Sequence, residues 1–294
     1  MKTPIKITLI TFLTLFLCAT HVSLAQDFQG RAVYQTKTTM DMGDWGGREM
    51  SEQQRKQIMD RMKSFLEKTY VLTFNKTESI YKEDEKLEAP GAGGGRGWGG
   101  AFASSFTGGP QYKNVKDQQL LQEQEFFGKQ FLVKDELKKL DWKMGTETKQ
   151  IGQYLCFKAT ATKTVDEFDW RSMRRRNSDN DTTKATDSTK TTNPLEDIEV
   201  PKTIEVVAWY TPQIPVNQGP GEYWGLPGLI LEVNADRTTI LCTKIVLNPA
   251  DKEEIKIPSK GKEITQEEYN KTVKEKTEEM REMYGGRSRG GNRF

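Results

Sequence analysis

Short strand-like segments follow one another along most of the chain, and each ends in turn-forming or charged residues. Residues 153–160 show the pattern clearly, because apolar and polar side chains alternate there with the two-residue period of a half-buried strand. Such segments lie at 29–39, 70–75, 79–82, 111–115, 119–126, 129–133, 142–144, 152–162, 203–210, 229–233 and 238–247. Short strands joined by short turns are typical of an antiparallel meander. The sequence therefore predicts a mainly β (α+β) fold built on one strongly bent antiparallel sheet.

Two further segments have the pattern of helices and begin with the same capping signal. Ser51 and Gln54 have the spacing of a capping box, and Thr265 and Glu268 repeat it before a heavily charged stretch. The predicted helices span residues 52–68 and 265–284. We expect the bent sheet to pack on a helix, and the charged C-terminal helix to pack weakly.

Two long polar insertions interrupt the strand pattern. Residues 89–110 are dominated by glycine, which indicates a mobile loop, with an aromatic-bearing contact loop as the alternative. Residues 166–201 contain an arginine cluster at 171–176 and then a run of Asn, Asp, Ser, Thr and Lys with almost nothing apolar, which indicates a disordered connection. Both insertions belong to a single predicted β-rich domain at 26–250, followed by a charged helix and a Gly/Arg tail at 251–294. A peripheral membrane contact through the arginines at 171–176 or in the tail is the minority interpretation.

The N-terminus has the features of a secretory signal. Lys2 and Lys6 precede an apolar run at 7–19, and small residues at 23–25 suit cleavage before Gln26. The predicted signal peptide spans residues 1–25. We therefore expect an exported protein of the cell envelope, in the periplasm or associated with the outer membrane.

Cleavage of this segment would remove Cys18 and the chain's one histidine, His21. A mature chain without imidazole excludes a Ser-His-Asp or Cys-His catalytic group and a His-ligated zinc site. The sequence accordingly predicts no catalytic residue, no cofactor and no metal. Cys156 and Cys242 would remain, and in an oxidising compartment they form either one disulfide or two separate buried thiols.

Overall charge and polarity narrow the choice of partner. The formal net charge is +2, which argues against bulk electrostatic binding to nucleic acid. Only 35% of the residues are hydrophobic, which excludes an integral helical membrane protein and fits a domain with long polar insertions. The expected partner is therefore an envelope protein or an apolar ligand.

One segment, residues 219–230, concentrates aromatic and apolar side chains between two Pro/Gly clusters before a strand. Proline fixes backbone angles and glycine permits conformations closed to other residues, so this loop is predicted to be ordered. An ordered loop carrying Tyr223, Trp224 and Leu226 either plugs one end of the sheet or lines the mouth of an apolar cavity.

Three blocks of sequence carry a resemblance to a known family. The first runs from Trp142 through 149–159, the second is Val207 to Val216, and the third is Gly219 to Val233, which contains Gly-Leu-Pro-Gly-Leu-Ile at 225–230. In these blocks the chain resembles the GLPGLI family of secreted bacterial proteins, with Gln153 as an insertion in the first. The resemblance implies an exported, mostly β envelope protein and implies no reaction.

We expect non-enzymatic binding of an apolar ligand or a partner protein beside the Pro/Gly loop. The residues predicted to form that site are Trp209, Tyr210, Pro220, Tyr223, Trp224, Leu226 and Pro227. One alternative is an envelope structural or assembly factor with no small-molecule ligand. A carboxylate-based hydrolase using a pair such as Glu205 and Glu232 is the less favoured alternative, because charged residues on an antiparallel sheet usually form its solvent face.

Overall fold

The computed structural model describes residues 28–39, 51–84, 106–165, 174–175, 198–199 and 202–285. The predicted signal peptide, most of both polar insertions and the Gly/Arg tail lie outside these residues. Their cleavage and disorder therefore stay predictions.

Strands make up most of the described chain. They are β1 (Gly30–Thr38), β2 (Glu67–Phe74), β3 (Glu78–Glu83), β4 (Phe106–Asn114), β5 (Gln119–Phe126), β6 (Lys129–Glu136), β7 (Lys143–Ile151), β8 (Tyr154–Thr164), β9 (Arg174–Arg175), β10 (Ile198–Glu199), β11 (Thr203–Thr211), β12 (Leu229–Ala235), β13 (Thr238–Leu247) and β14 (Lys262–Ile264). The helices are α1 (Glu52–Leu66) and α2 (Gln266–Gly285). The mainly β prediction is confirmed.

Twelve of these strands form one open sheet, in the order β14-β6-β5-β4-β3-β2-β1-β13-β12-β11-β8-β7. Strands β1 to β6 form one meander, and β7, β8, β11, β12 and β13 form the other. Strands β9 and β10 pair with each other in a separate two-stranded sheet. The two halves join where β1 pairs with β13, from Gly30 opposite Leu247 to Thr38 opposite Thr238. This order leaves β7 and β14 at the two edges of the sheet.

Part of the glycine-rich insertion is a strand, which corrects its predicted extent. Phe106 pairs with Phe126, and Gly108 pairs with Gln124, so β4 begins inside the segment assigned to a mobile loop. A Cβ on Gly109 would lie 3.0 Å from the Glu123 carbonyl oxygen. The absence of a side chain thus allows the two backbones to approach, and here glycine serves strand pairing and not mobility.

Both predicted capping boxes are present, and the C-terminal helix packs on the sheet through a narrow apolar stripe. Tyr269 and Val273, one turn apart on α2, are both buried. They pack against the aromatic and aliphatic side chains of the β5–β6 hairpin, namely Phe126, Phe131 and Val133. The charged composition of the helix concealed this narrow apolar stripe.

The central face of the sheet is covered by a loop, residues 212–228, which we call the signature loop. Ile214, Val216, Tyr223 and Leu226 of this loop belong to the main hydrophobic cluster. Their partners on the sheet include Tyr34, Leu72, Phe74, Ala208 and Ile230. The signature loop therefore supplies apolar side chains to the core.

Residues 248–261, which we call the crossing segment, run over the opposite face of the sheet. Glu253 forms an ion pair with Arg31 of β1 and accepts a hydrogen bond from Thr73 of β2. Ile255 then packs against a small cluster contributed by β4, β5 and β6. The segment ends at Gly261, where a Cβ would lie 2.6 Å from the Phe131 nitrogen, and continues as β14 parallel to β6. The sequence did not predict the short edge strand β14. Because the crossing segment carries the chain across the sheet before β14 begins, β14 runs parallel to β6.

The β5–β6 hairpin turns through two residues with positive φ, Phe127 at 48° and Gly128 at 72°. Such turns favour Asn-Gly, because the left-handed conformation is costly for a bulky residue. Phe127 is 43% exposed, so it gains little from burial. We expect Phe127→Asn to raise the free energy of unfolding by about 1 kcal/mol relative to Phe127→Ala, since both lose the ring and only Asn tolerates this backbone. Urea unfolding of the two variants measures the difference, and equal stabilities would contradict it.

Candidate functional site

The signature loop is a compact, hydrogen-bonded turn and not an open mouth. Its closing hydrogen bonds run from the Gly225 nitrogen to the Asn217 oxygen at 3.2 Å and from the Ile230 nitrogen to the Gln218 oxygen at 3.1 Å. Gly228 lies so close to the end of β11 that a Cβ would be 2.2 Å from the Thr211 carbonyl oxygen. The prediction that this loop is ordered agrees with this geometry, and the glycine at 228 is a steric requirement.

Two tryptophans tie the loop to the segment that precedes β7. The Trp224 indole N–H donates to the Lys138 carbonyl at 3.1 Å, and the Trp142 indole N–H donates to the Trp224 carbonyl at 2.9 Å. On the sheet side, the buried Tyr34 hydroxyl donates to the Ile230 carbonyl at 2.7 Å. Each of these three aromatic side chains thus satisfies its polar atom through a backbone carbonyl.

Most of the residues predicted to bind a ligand are inaccessible. Tyr210, Pro220, Tyr223, Trp224 and Leu226 are buried. Trp209 is half-buried and Pro227 is exposed. The structure therefore brings five of the seven into the core and leaves two outside it. The plug interpretation of the loop fits this arrangement better than the cavity-mouth interpretation.

Trp209 is part of a polar network that crosses several strands. The Lys149 ammonium lies 4.7 Å from the centre of its ring and contacts the buried Glu232 carboxylate at 2.5 Å. Glu232 also accepts from the Asn234 side chain, which accepts from Thr239. Lys149 is in β7 and Glu232 in β12, three strand spacings apart, or about 14 Å on a flat sheet. Their contact requires the sheet to bend toward this face.

The two cysteines are free thiols, which corrects the disulfide alternative for Cys156 and Cys242. They lie in β8 and β13, with β11 and β12 between them. A disulfide requires Cα atoms within about 7 Å, whereas strands in a sheet are about 4.8 Å apart. Burial raises the pKa of Cys156 to about 11 and that of Cys242 to about 12. Both thiols are therefore uncharged near neutral pH and poor nucleophiles.

The carboxylates considered for hydrolysis are not brought together. Trp209 is the residue that pairs with Glu232 across β11 and β12, and Glu205 lies four residues before it. Glu205 and Glu232 are therefore offset by about 13 Å along the strand direction, which exceeds the distance between the two catalytic carboxyl groups of a glycosidase. Glu205 is exposed, while Glu232 is held by Lys149 and Asn234.

A shallow, open depression of about 450 Å³ lies beside the β4–β5 turn. It is lined by Asp117, Gln118, Gln119, Lys134, Asp135 and Glu136. A lining of this kind does not suit an apolar ligand.

Within the described ranges there is no group of His, Cys, Asp and Glu placed to hold a metal. No helix in the described part of the chain is long and apolar enough to cross a membrane.

Comparison with known proteins finds a family model that matches part of this region. Residues 142–232 match the family "Protein of unknown function (Porph_ging)". The match begins at Trp142 and ends at Glu232, so it covers β8, β11 and the whole signature loop. The resemblance to a family of unknown function is thereby supported. No curated protein matches the chain.

Structures of PNGF-II in two crystal forms, C2 and P21, are similar to this chain at a TM-score of 0.44, with 12% and 13% sequence identity. They cover 84% and 83% of this chain. This chain spans 32% of the PNGF-II chain, and a likeness at this level supports no conclusion about function.

Sequence reasoning missed two features of this region. Lys113, in β4, is fully buried beneath the signature loop, although nothing in its local pattern sets it apart from an exposed lysine. Strand β7 was predicted only as far as 144, because its residues are nearly all polar. An edge strand with little burial lacks the apolar alternation that identifies the inner strands.

Proposed function

We propose that this chain is an exported, non-enzymatic binding protein of the cell envelope and a member of the GLPGLI family. Its ligand, in this proposal, is an extended segment of another polypeptide. The observation that carries the proposal is the edge of the sheet at β7, beside which no other strand of the described residues pairs. Seven of the nine residues of β7 are exposed. The burial of the signature-loop aromatics favours a polypeptide over an apolar small molecule as the ligand.

The orientation of the backbone at this edge follows from one hydrogen bond. The Leu155 nitrogen donates to the Gln213 side chain at 3.1 Å, and Leu155 is the residue opposite Gln150. Since Leu155 directs its N–H away from β7, Gln150 and Leu155 are a non-hydrogen-bonded pair. Gln150, and Thr148 two residues earlier, therefore direct their own N–H and C=O groups outward.

An outward row of backbone donors and acceptors is complementary to an extended peptide, which would add as a further strand. A register shift between Met144 and Thr148 places the regular part of this edge at 148–151. Met144, which lies on β7 itself, is 54% exposed, and a cross-strand side chain of an added strand would contact it. A lysine on an edge strand ordinarily opposes pairing with another chain, but the Lys149 side chain is turned toward Glu232.

A proline at Thr148 tests this proposal directly. Proline has no N–H, so Thr148→Pro removes an outward donor while leaving the hydrogen bonds to β8 in place. A photo-crosslinker at Gln150 should form an adduct with one envelope protein in the parent and in Thr148→Ala. We expect Thr148→Pro to reduce that adduct at least tenfold without loss of folding.

The remaining outcomes count against the proposal. An adduct of twice the mass of the chain would show self-association through β7 in place of a partner. An adduct equally strong in Thr148→Pro and Thr148→Ala would show that backbone pairing is not involved. The absence of any adduct in the parent would also contradict it.

A further inference from the structure

Lys113 is a fully buried lysine that connects β4 to the signature loop. Its ammonium donates to the Gly219 carbonyl at 2.7 Å and to the Tyr223 carbonyl at 3.3 Å. These two carbonyls bracket the turn at Pro220, Gly221 and Glu222. The side chain thus holds the two ends of one turn of the loop on the sheet.

The surroundings of Lys113 contain one buried donor without an acceptor. Gln218 accepts a hydrogen bond from Ser79, the residue opposite Lys113 on β3, at 2.9 Å. The Gln218 side-chain nitrogen is buried and has no partner within the described residues. An ammonium offers three donors and no acceptor, whereas a neutral amine carries a lone pair. A neutral amine at Lys113 still donates to both carbonyls and also offers a lone pair, so this fully buried site does not require the charged form.

The charged groups near Lys113 do not compensate for its burial. Glu222 faces it from the loop, but Glu222 is exposed and is engaged by Lys163 of β8 at 2.5 Å. The neighbours on the flanking strands, Ser79 on β3 and Leu120 on β5, are uncharged. Burial consequently lowers the pKa of Lys113 to about 7, although Glu222 acts in the opposite direction.

We propose that docking of the signature loop on the sheet is coupled to the release of a proton from Lys113, so that the loop is held more tightly under mildly alkaline than under acidic conditions. When the loop opens, the amine meets water and regains its ordinary pKa of 10.5. Below about pH 7 the amine is protonated in both states, and the opening equilibrium does not depend on pH. Between about 7 and 10.5 opening takes up a proton, so the opening constant falls up to about tenfold for each unit of rising pH.

Hydrogen exchange in the loop measures this coupling. The Leu229 and Ile230 amides donate to Ile214 and Gln218 within the docked loop, so their exchange reports its opening. After correction for the intrinsic exchange rate, we expect the opening constant at pH 9 to be about a hundredfold lower than at pH 6. Lys113→Met should abolish this pH dependence. Lys163→Met, which removes the β8 cation paired with Glu222 of the same loop, should retain it.

A direct titration keeps the test independent of whether Lys113→Met folds. In the parent protein with ¹³C-labelled lysine side chains, one Cε resonance should titrate with a midpoint near pH 7, far from the others. Lysine resonances that all titrate above pH 10 would overturn the proposal. So would an unchanged pH dependence of exchange in Lys113→Met.

Discussion

Gly228→Ala is expected to lower the free energy of unfolding by about 4 kcal/mol, or to prevent folding. The added Cβ would lie 2.2 Å from the Thr211 carbonyl oxygen, 2.5 Å from its carbon and 2.9 Å from the Pro212 nitrogen. All three atoms belong to the backbone, so no side chain can rotate to relieve the overlap. Denaturant unfolding monitored by tryptophan fluorescence measures the loss.

Gly108→Ala is the matched control for this substitution. Its Cβ would meet the Gln122 side chain at 3.6 Å, which is an ordinary contact. We expect a change within about 0.5 kcal/mol, because the new methyl group fits without displacement. Equal destabilisation by the two substitutions would mean that the close approach at 228 does not hold the loop against β11.

Trp224→Ala is expected to lower the free energy of unfolding by about 3 to 5 kcal/mol, because it empties a buried aromatic site in the plug. Trp224 is only 6% exposed, and its indole is the hydrogen-bond donor to the Lys138 carbonyl. Partner capture at the β7 edge should be unchanged at a temperature where the variant stays folded. Unfolding curves and the Gln150 crosslink together measure the two effects.

Trp224→Phe separates the packing of the ring from its hydrogen bond. It retains most of the apolar volume and loses the donor, so we expect a cost of about 1 to 2 kcal/mol. If Trp224→Ala kept its stability and lost partner capture, the loop would be a recognition surface and the plug interpretation would be wrong.

The signature loop shows which features local sequence can predict and which it cannot. Its Pro/Gly clusters predicted an ordered turn, since those residues restrict or permit backbone angles without reference to the rest of the chain. The sequence of the loop does not determine whether its aromatic side chains face the core or a ligand. That choice depends on Tyr34, Leu72 and Ile230, which lie on strands brought beneath the loop by the fold.

Lys113 and the β7 edge show where sequence reasoning ends for the candidate site. A lysine in a strand is ordinarily exposed, and the burial of Lys113 follows only from the carbonyls of residues 219 and 223 placed over it. The edge at β7 is likewise a property of strand order, because a strand is an edge only when no other strand pairs beside it.

The sequence by itself determined the inner strands, the two helix caps and the ordered Pro/Gly loop, because each depends on neighbouring residues and on periodicity. Tertiary structure alone decided that β1 joins the two meanders, that the cysteines stay apart, that the loop fills the core, and that β7 is an edge among the described strands. These features arise from pairings between residues far apart in the chain. Their free energy depends on which surfaces meet, and no local pattern records that.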